Sequence, residues 1–84
     1  MHEDVEFVRY ILESLVEHQN DISIQRTVDE MGVLISATVH PDDMGKVIGR
    51  GGATVHAIRI LLHSIGFRSN ARINLKLNDP VISV

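Results

Sequence analysis

The first half of the chain contains one helical and two alternating hydrophobic patterns. Residues 3–18 repeat apolar side chains at helical spacing and carry acidic residues in their first turn, which predicts an amphipathic helix. Residues 21–28 and 33–40 alternate apolar and polar side chains, as half-buried strands do. The turn-forming sequence DEMG separates these two stretches, so they are predicted to form a β-hairpin.

The second half contains two helical patterns and one further alternating pattern. The stretch HPDDMGKVIG places a proline and two acidic residues where a helix begins. A longer helix is predicted from residue 53, and Gly66 is its predicted C-terminal stop. Its apolar stripe consists of Val55, Ile58, Leu61, Leu62 and Ile65. Residues 71–78 alternate again, which predicts a third strand.

The resulting order is α-β-β-α-α-β, without an internal repeat or a linker. Each predicted strand has one apolar side, so we expect an α+β fold in which helices cover one face of a three-stranded sheet. The length of 84 residues suits one small domain, and residues 1–84 are predicted to form it. The stretch 79–84 is open to two interpretations, a ragged end or a short added strand.

Composition and charge restrict the classes of partner. The absence of cysteine excludes disulfides and thiolate metal sites and suits a reducing compartment. The first residues are acidic, unlike a secretory signal, and no apolar stretch approaches the ~20 residues that span a bilayer, so we expect a cytoplasmic protein without membrane contact. The net charge of −3 is unevenly distributed, since residues 1–43 carry nearly all the acidic side chains and residues 44–78 carry six basic and no acidic ones. The basic second half is compatible with a nucleic-acid partner despite the negative net charge.

The stretch GKVIGRGG, residues 45–52, lies in this basic half between two predicted helices. A plain glycine-rich turn is one interpretation, because such a stretch alone is a weak signal. An arginine inside the turn and a helix N-terminus directly after it favour an anion site instead. The Gly-Lys-Ser/Thr ending of a Walker loop is missing. A dinucleotide fingerprint is also disfavoured, because that motif follows a strand and this stretch follows a helix.

The pattern Ile48-Gly49-x-x-Gly52-x-x-Val55 resembles the core signature of KH domains, in which a GxxG loop between two helices clamps about four nucleotides. The resemblance covers essentially the whole chain: the element order is similar to that of type II, bacterial KH domains, and the blocks DDMGKVIGRGG and NARINLKL resemble the KhpA family. It implies single-stranded RNA as partner and a role as an RNA chaperone or post-transcriptional regulator. It also implies homodimers and, in some bacteria, pairing with a larger KH-containing protein (KhpB, also called Jag or EloR).

Carried over by position, the resemblance assigns one set of residues to a phosphate clamp and another to a groove for the bases. The implied RNA-binding residues are Lys46, Val47, Ile48, Gly49, Arg50, Gly51, Gly52, Val55 and Ile58. The loop itself is the clamp with Lys46 beside it, and the four aliphatic residues line the groove together with one edge of the sheet. Relatives often carry a polar or basic residue at the position of Gly51, so the glycine removes one phosphate donor.

The rival interpretation is a protein-interaction module in which RNA binding is secondary. Ile60 lies off the main apolar stripe of the last helix, so it is predicted to be partly exposed and either to support a dimer or to pack against the first helix or the tail.

The histidines, aspartates and serines of the chain do not form a sequence pattern typical of a metal site or a catalytic site. His56 and His63 lie about 10.5 Å apart along a helix, which is too far for two ligands of one zinc ion. Asp42 and Asp43 suit a helix start better than acid–base catalysis, and no serine lies in a nucleophile motif. We therefore expect neither an enzyme nor a bound metal, cofactor or small-molecule substrate.

Overall fold

The structure, a computed structural model that describes residues 2–78, has the predicted order of helices and strands. Its elements are α1 (Glu3–Leu15), β1 (Ser23–Asp29), β2 (Gly32–Thr38), α2 (Met44–Ile48), α3 (Ala53–Arg68) and β3 (Ile73–Leu77). A 3₁₀ turn at Pro41–Asp43 leads into α2, and another at Arg50–Gly52 leads into α3. The two interpretations of residues 79–84 lie outside the described residues. Within residues 2–78, no helix combines the length and the hydrophobicity needed to cross a membrane.

The three strands form one sheet with β2 in the centre. β1 pairs with β2 in antiparallel orientation, and Asp29 lies opposite Gly32 at the hairpin end. β3 lies parallel to β2 on the other side, with Val33 opposite Ile73. Because parallel neighbours need a crossover connection, α2 and α3 together carry the chain back between β2 and β3. The glycine-rich stretch lies within this crossover, among the helices.

The helices pack on one face of the sheet and enclose the core. Val33, Ile35 and Ala37 of β2 are buried, as their alternation predicts. The remaining core residues come from the helices, from β3 and from the connections: Val8, Leu12, Val16, Val39, Val47, Val55, Ile58, Leu62, Ile73 and Leu75. On the opposite face, Gln25 and Asn74 are exposed. The α+β fold with a sheet covered on one face is therefore confirmed.

The apolar stripe of α3 is narrower than predicted. Leu62 is fully buried, but Leu61 is 48% exposed, so its assignment to the stripe was wrong. Successive helical residues point about 100° apart, which turns Leu61 away from the core when Leu62 faces it. Ile60 is 50% exposed, as its off-stripe position predicts.

The end of α3 also differs from the prediction, because the helix continues through Gly66 to Arg68. Asn70, with φ of 59°, supplies the left-handed residue that ends it, and the N–H of Ala71 donates to the Gly66 carbonyl at 2.7 Å. Gly66 is needed for packing instead, since a Cβ there would lie 3.0 Å from the Ile73 side chain. The missing side chain lets β3 approach the helix.

Candidate nucleic-acid interface

The chain between α2 and α3 turns through three glycines with positive φ angles. Gly49 has φ 77° and ψ 174°, and Gly51 and Gly52 have φ of 62° and 81°. Such angles are routine only for glycine. At Gly49 a side chain is excluded for a second reason, since its Cβ would lie 2.7 Å from the Cβ and 2.8 Å from the backbone nitrogen of Thr54. The loop conformation therefore depends on glycine.

The tip of the loop is open on its outer side. Apart from adjacent residues, no heavy atom lies within 4 Å of a Cβ built at Gly51 or Gly52. The Arg50 side chain is exposed and makes no ion pair with any residue in 2–78. Neither the 3₁₀ turn that begins at Arg50 nor α3 has a side-chain hydrogen bond at its N-cap. The N–H groups of Gly52 and Ala53 donate to the carbonyls of Gly49 and Arg50. An anion at the tip is therefore favoured by the positive end of the helix dipole and by any N–H group of the first turn that has no partner within the helix.

Lys46 is adjacent to the loop, but two carboxylates engage its ammonium group. The Nζ atom lies 3.2 Å from Glu17 Oε2 and 3.4 Å from Asp43 Oδ1. The hydrogen bond with Glu17, supported by Asp43, raises the pKa of Lys46. Lys46 thus links α2 to the segment after α1, and the two carboxylates offset its charge while one of its three N–H donors remains for a phosphate.

The four aliphatic residues assigned to the base groove differ in exposure. Val47 is fully buried, and Val55 and Ile58 belong to the core with only 7% and 4% of their surface exposed. Ile48 is 36% exposed, so it is the member of this set that offers apolar surface to a ligand. Helical spacing identifies apolar positions but does not show which of them are buried in the core and which line an open groove. The sequence pattern therefore could not distinguish Ile48 from the three buried residues.

Asp43 has a role that the sequence pattern does not reveal. It precedes α2, as predicted, but its side chain is fully buried and makes no capping bond there. The carboxylate instead accepts from the N–H groups of Glu17 and His18 at 3.2 and 3.0 Å, from His18 Nδ1 at 2.9 Å and from Lys46 Nζ at 3.4 Å. Burial opposes ionisation, but these donors outweigh it and hold the pKa of Asp43 well below its usual range. The ionised carboxylate therefore joins the segment after α1 to the helix that leads into the loop.

The His18 ring also stacks on the His40 ring, with centroids 3.8 Å apart and 12° between the planes. The hydrogen bond with Asp43 raises the pKa of His18, and His40 Nδ1 accepts from the Asp42 N–H at 3.0 Å. Ligand-type atoms of His18, His40 and Asp42 lie within 4.8 Å of one another. Because parallel rings keep their in-plane lone pairs parallel, the arrangement suits a stacked, hydrogen-bonded pair better than two ligands aimed at one ion.

Comparison with known proteins identifies the family. The family model for the KH domain of KhpA and KhpB matches residues 5–77. The RNA-binding protein KhpA of Oceanobacillus iheyensis is 40% identical over 70 residues, which cover 83% of this chain and 93% of the relative. The proteins of the same name from Halalkalibacterium halodurans (36% over 72 residues, 86% and 95% covered) and Mycobacterium leprae (39% over 64 residues, 76% and 80% covered) are similar as well. The chain therefore belongs to the KhpA/KhpB family of KH domains.

Proposed function

We propose that this KH domain binds single-stranded RNA, with the loop of residues 49–52 holding the phosphate backbone and Ile48 contacting a base. The buried Val47, Val55 and Ile58 then support the groove from the core. The similar proteins are named RNA-binding proteins, and the family match includes the loop. The proposed role is that of a non-catalytic cytoplasmic protein that acts as an RNA chaperone or post-transcriptional regulator and needs no cofactor.

The open tip of the loop is the observation that carries this proposal. Glycines at the tip let a phosphodiester approach the backbone closely, and the helix N-terminus behind them favours its negative charge. Arg50 adds an exposed cation at the same place. None of the strands β1, β2 and β3 carries an aromatic residue, so the domain lacks the base-stacking sheet of an RRM.

The test is the double variant Arg50→Asp/Gly51→Asp, which places two negative charges where phosphates are proposed to bind. The affinity for a fluorescent single-stranded RNA, measured by anisotropy, should fall at least about tenfold, because a hydrogen bond to a charged group contributes about 1.5–3 kcal/mol. Arg50 is exposed and nothing lies within 4 Å of a Cβ at Gly51, so the fold should persist with only the modest loss of stability that the positive φ of Gly51 causes, and circular dichroism checks this.

Arg9→Asp is the matched control for the single variant Arg50→Asp. It makes the same charge change on the exposed surface of α1, so only Arg50→Asp should weaken RNA binding strongly. Unchanged affinity in the folded double variant would contradict the clamp.

The salt dependence of RNA binding gives a second check. Two or three neutralised phosphates predict a slope of about −1.4 to −2.1 when the logarithm of the binding constant is plotted against the logarithm of the salt concentration. A slope several times steeper would require a larger surface than one loop.

Self-association, or pairing with a larger KH-containing protein of the KhpB type, is a second proposed function. Ile60 and Leu61 lie side by side on α3 and are each about half exposed. Adjacent exposed aliphatic side chains favour a protein interface more than scattered ones do. Two joined domains would also hold one RNA at two points, which raises avidity without a new kind of contact. The two proposed functions are therefore compatible.

A further inference from the structure

A hollow of about 470 Å³ opens at the end of α3 that is remote from the glycine-rich loop. It is lined by His63, Phe67, Ala71, Arg72 and Asn74. From the rise of 1.5 Å per residue, Phe67 lies roughly 20 Å along the helix axis from the loop. The hollow is therefore separate from the proposed phosphate clamp.

Phe67 is the most unusual residue of this hollow, because 89% of its surface is exposed. The backbone around it brings the other lining residues close. Gly66 lets β3 approach α3, and the turn at Asn70 reverses the chain directly after the helix. Phe67, Arg72 and Asn74 consequently border one open space.

We propose that this hollow binds a nucleobase and the adjoining phosphate of a longer RNA, as a second contact beyond the loop; this inference rests on the proposed RNA-binding function. The rings of Phe67 and His63 offer faces on which a base can stack, as in other single-strand sites. None of the lining residues is acidic, and Arg72 makes no ion pair within residues 2–78.

The surface between the loop and the hollow suits the same ligand. His56, Arg59 and His63 recur at helical spacing with Phe67, so they lie along one side of α3. The Nε atom of Arg59 donates to the Leu75 carbonyl at 3.3 Å, which places this side next to β3. An RNA strand that leaves the loop along α3 thus passes basic and aromatic side chains.

The hairpin limits the positive potential of the hollow. Asp29 and Glu30 line a neighbouring depression that shares Arg72, so part of the Arg72 charge is offset across that border. Stacking on Phe67 is therefore the contact on which the proposal depends most.

The variant Phe67→Trp tests this contact directly, since the chain has no tryptophan and the new indole would be the sole one. Tyr10→Trp is the matched control, because Tyr10 is also exposed, at 69%, but lies on the acidic α1. A single-stranded adenosine RNA of about twelve nucleotides should quench the fluorescence of Phe67→Trp and not that of Tyr10→Trp. An RNA of about four nucleotides, enough for the loop alone, should quench neither at the concentration that saturates the loop.

RNA-affinity measurements on the variant Phe67→Ala provide a second test of the hollow. Phe67→Ala should bind the long RNA at least about fivefold more weakly than wild type, the lower end for loss of one base–aromatic stack, and should bind the short RNA equally well. If wild type binds both RNAs and Phe67→Ala matches it, the hollow is not an RNA site and the loop proposal stands. If wild type binds neither RNA, both proposals fail. A change of oligomeric state in Phe67→Ala without a change in RNA affinity would assign the hollow to a protein partner and overturn the inference.

Discussion

Single glycine-to-alanine substitutions between residues 45 and 52 should show which glycines the backbone conformation of the loop requires. Their effect on the free energy of unfolding can then be compared with their effect on RNA affinity. The same methyl group is added in each variant, but the sites differ in φ and in free space. Gly45 lies in α2, without a positive φ, and nothing lies within 4 Å of its added Cβ. Gly51 has a positive φ and open surroundings, whereas Gly49 has a positive φ and collides with Thr54.

These differences predict a ranked series of unfolding free energies. Gly45→Ala should stabilise the domain by about 0.5–1 kcal/mol, because alanine is the better helix former. Gly51→Ala should cost about 1–2 kcal/mol for a left-handed backbone. Gly49→Ala should cost about 2–6 kcal/mol, since a backbone region that is essentially restricted to glycine contributes about 1–3 kcal/mol and overpacking against Thr54 contributes about 1–3 kcal/mol more.

Urea unfolding followed by circular dichroism measures the series, and RNA anisotropy on the folded variants completes it. One kcal/mol corresponds to about 4–8 °C in melting temperature for a domain of this size, so the additional cost of about 1–3 kcal/mol expected from overpacking against Thr54 is measurable. Equal stability of these two variants would refute the argument from the close approach of Thr54. A destabilised Gly45→Ala would refute the reasoning from helix propensity.

Two further predictions concern the Asp43 network and the α3 surface. The raised pKa of His18 means that its stabilisation is complete below its usual value of 6.5 and is lost as pH rises through the higher folded value. Urea unfolding should therefore show wild-type stability falling as pH rises above 6.5, with a smaller fall in His18→Gln. The lowered pKa of Asp43 acts oppositely, since its contribution is present above its usual 3.8 and is lost as pH falls through the folded value. In analytical ultracentrifugation, Ile60→Glu should dissociate a dimer that Tyr10→Glu leaves intact, and a wild type that stays monomeric at high micromolar concentration would contradict self-association.

The order of elements could be predicted because each carries a clear hydrophobic period. The strands around Ile35 and Leu75 alternate with the pleat, and the long helices repeat apolar residues near 3.6 positions. The GxxG spacing could also be recognised, because Gly49 and Gly52 occupy backbone positions that no other residue fits well. In both cases the local sequence alone is sufficient for the prediction.

Other features depend on contacts between distant parts of the chain. Asp43 bonds to Glu17 and His18, more than twenty residues earlier, so its local sequence indicates only a helix start. Gly66 is required by its close contacts with the Ala71 carbonyl and the Ile73 side chain, and the local sequence around it predicts only a helix stop. The separation of buried Val47 from exposed Ile48 likewise depends on which side of α2 meets the core.

The pairing of Lys46 bears on the strength of the proposed RNA binding. Glu17 and Asp43 compensate the charge of Lys46, so Arg50 is the exposed cation of the loop. The proposed clamp on about four nucleotides must offset the cost of ordering both partners. We expect a second contact to raise the affinity of this clamp, either at the proposed site of Phe67 on the same chain or on a second copy through Ile60. The two routes differ in concentration dependence, because a contact within one chain gives an affinity independent of protein concentration, whereas a dimer adds avidity only above its dissociation constant. RNA titrations at protein concentrations below and above that constant therefore separate the two routes.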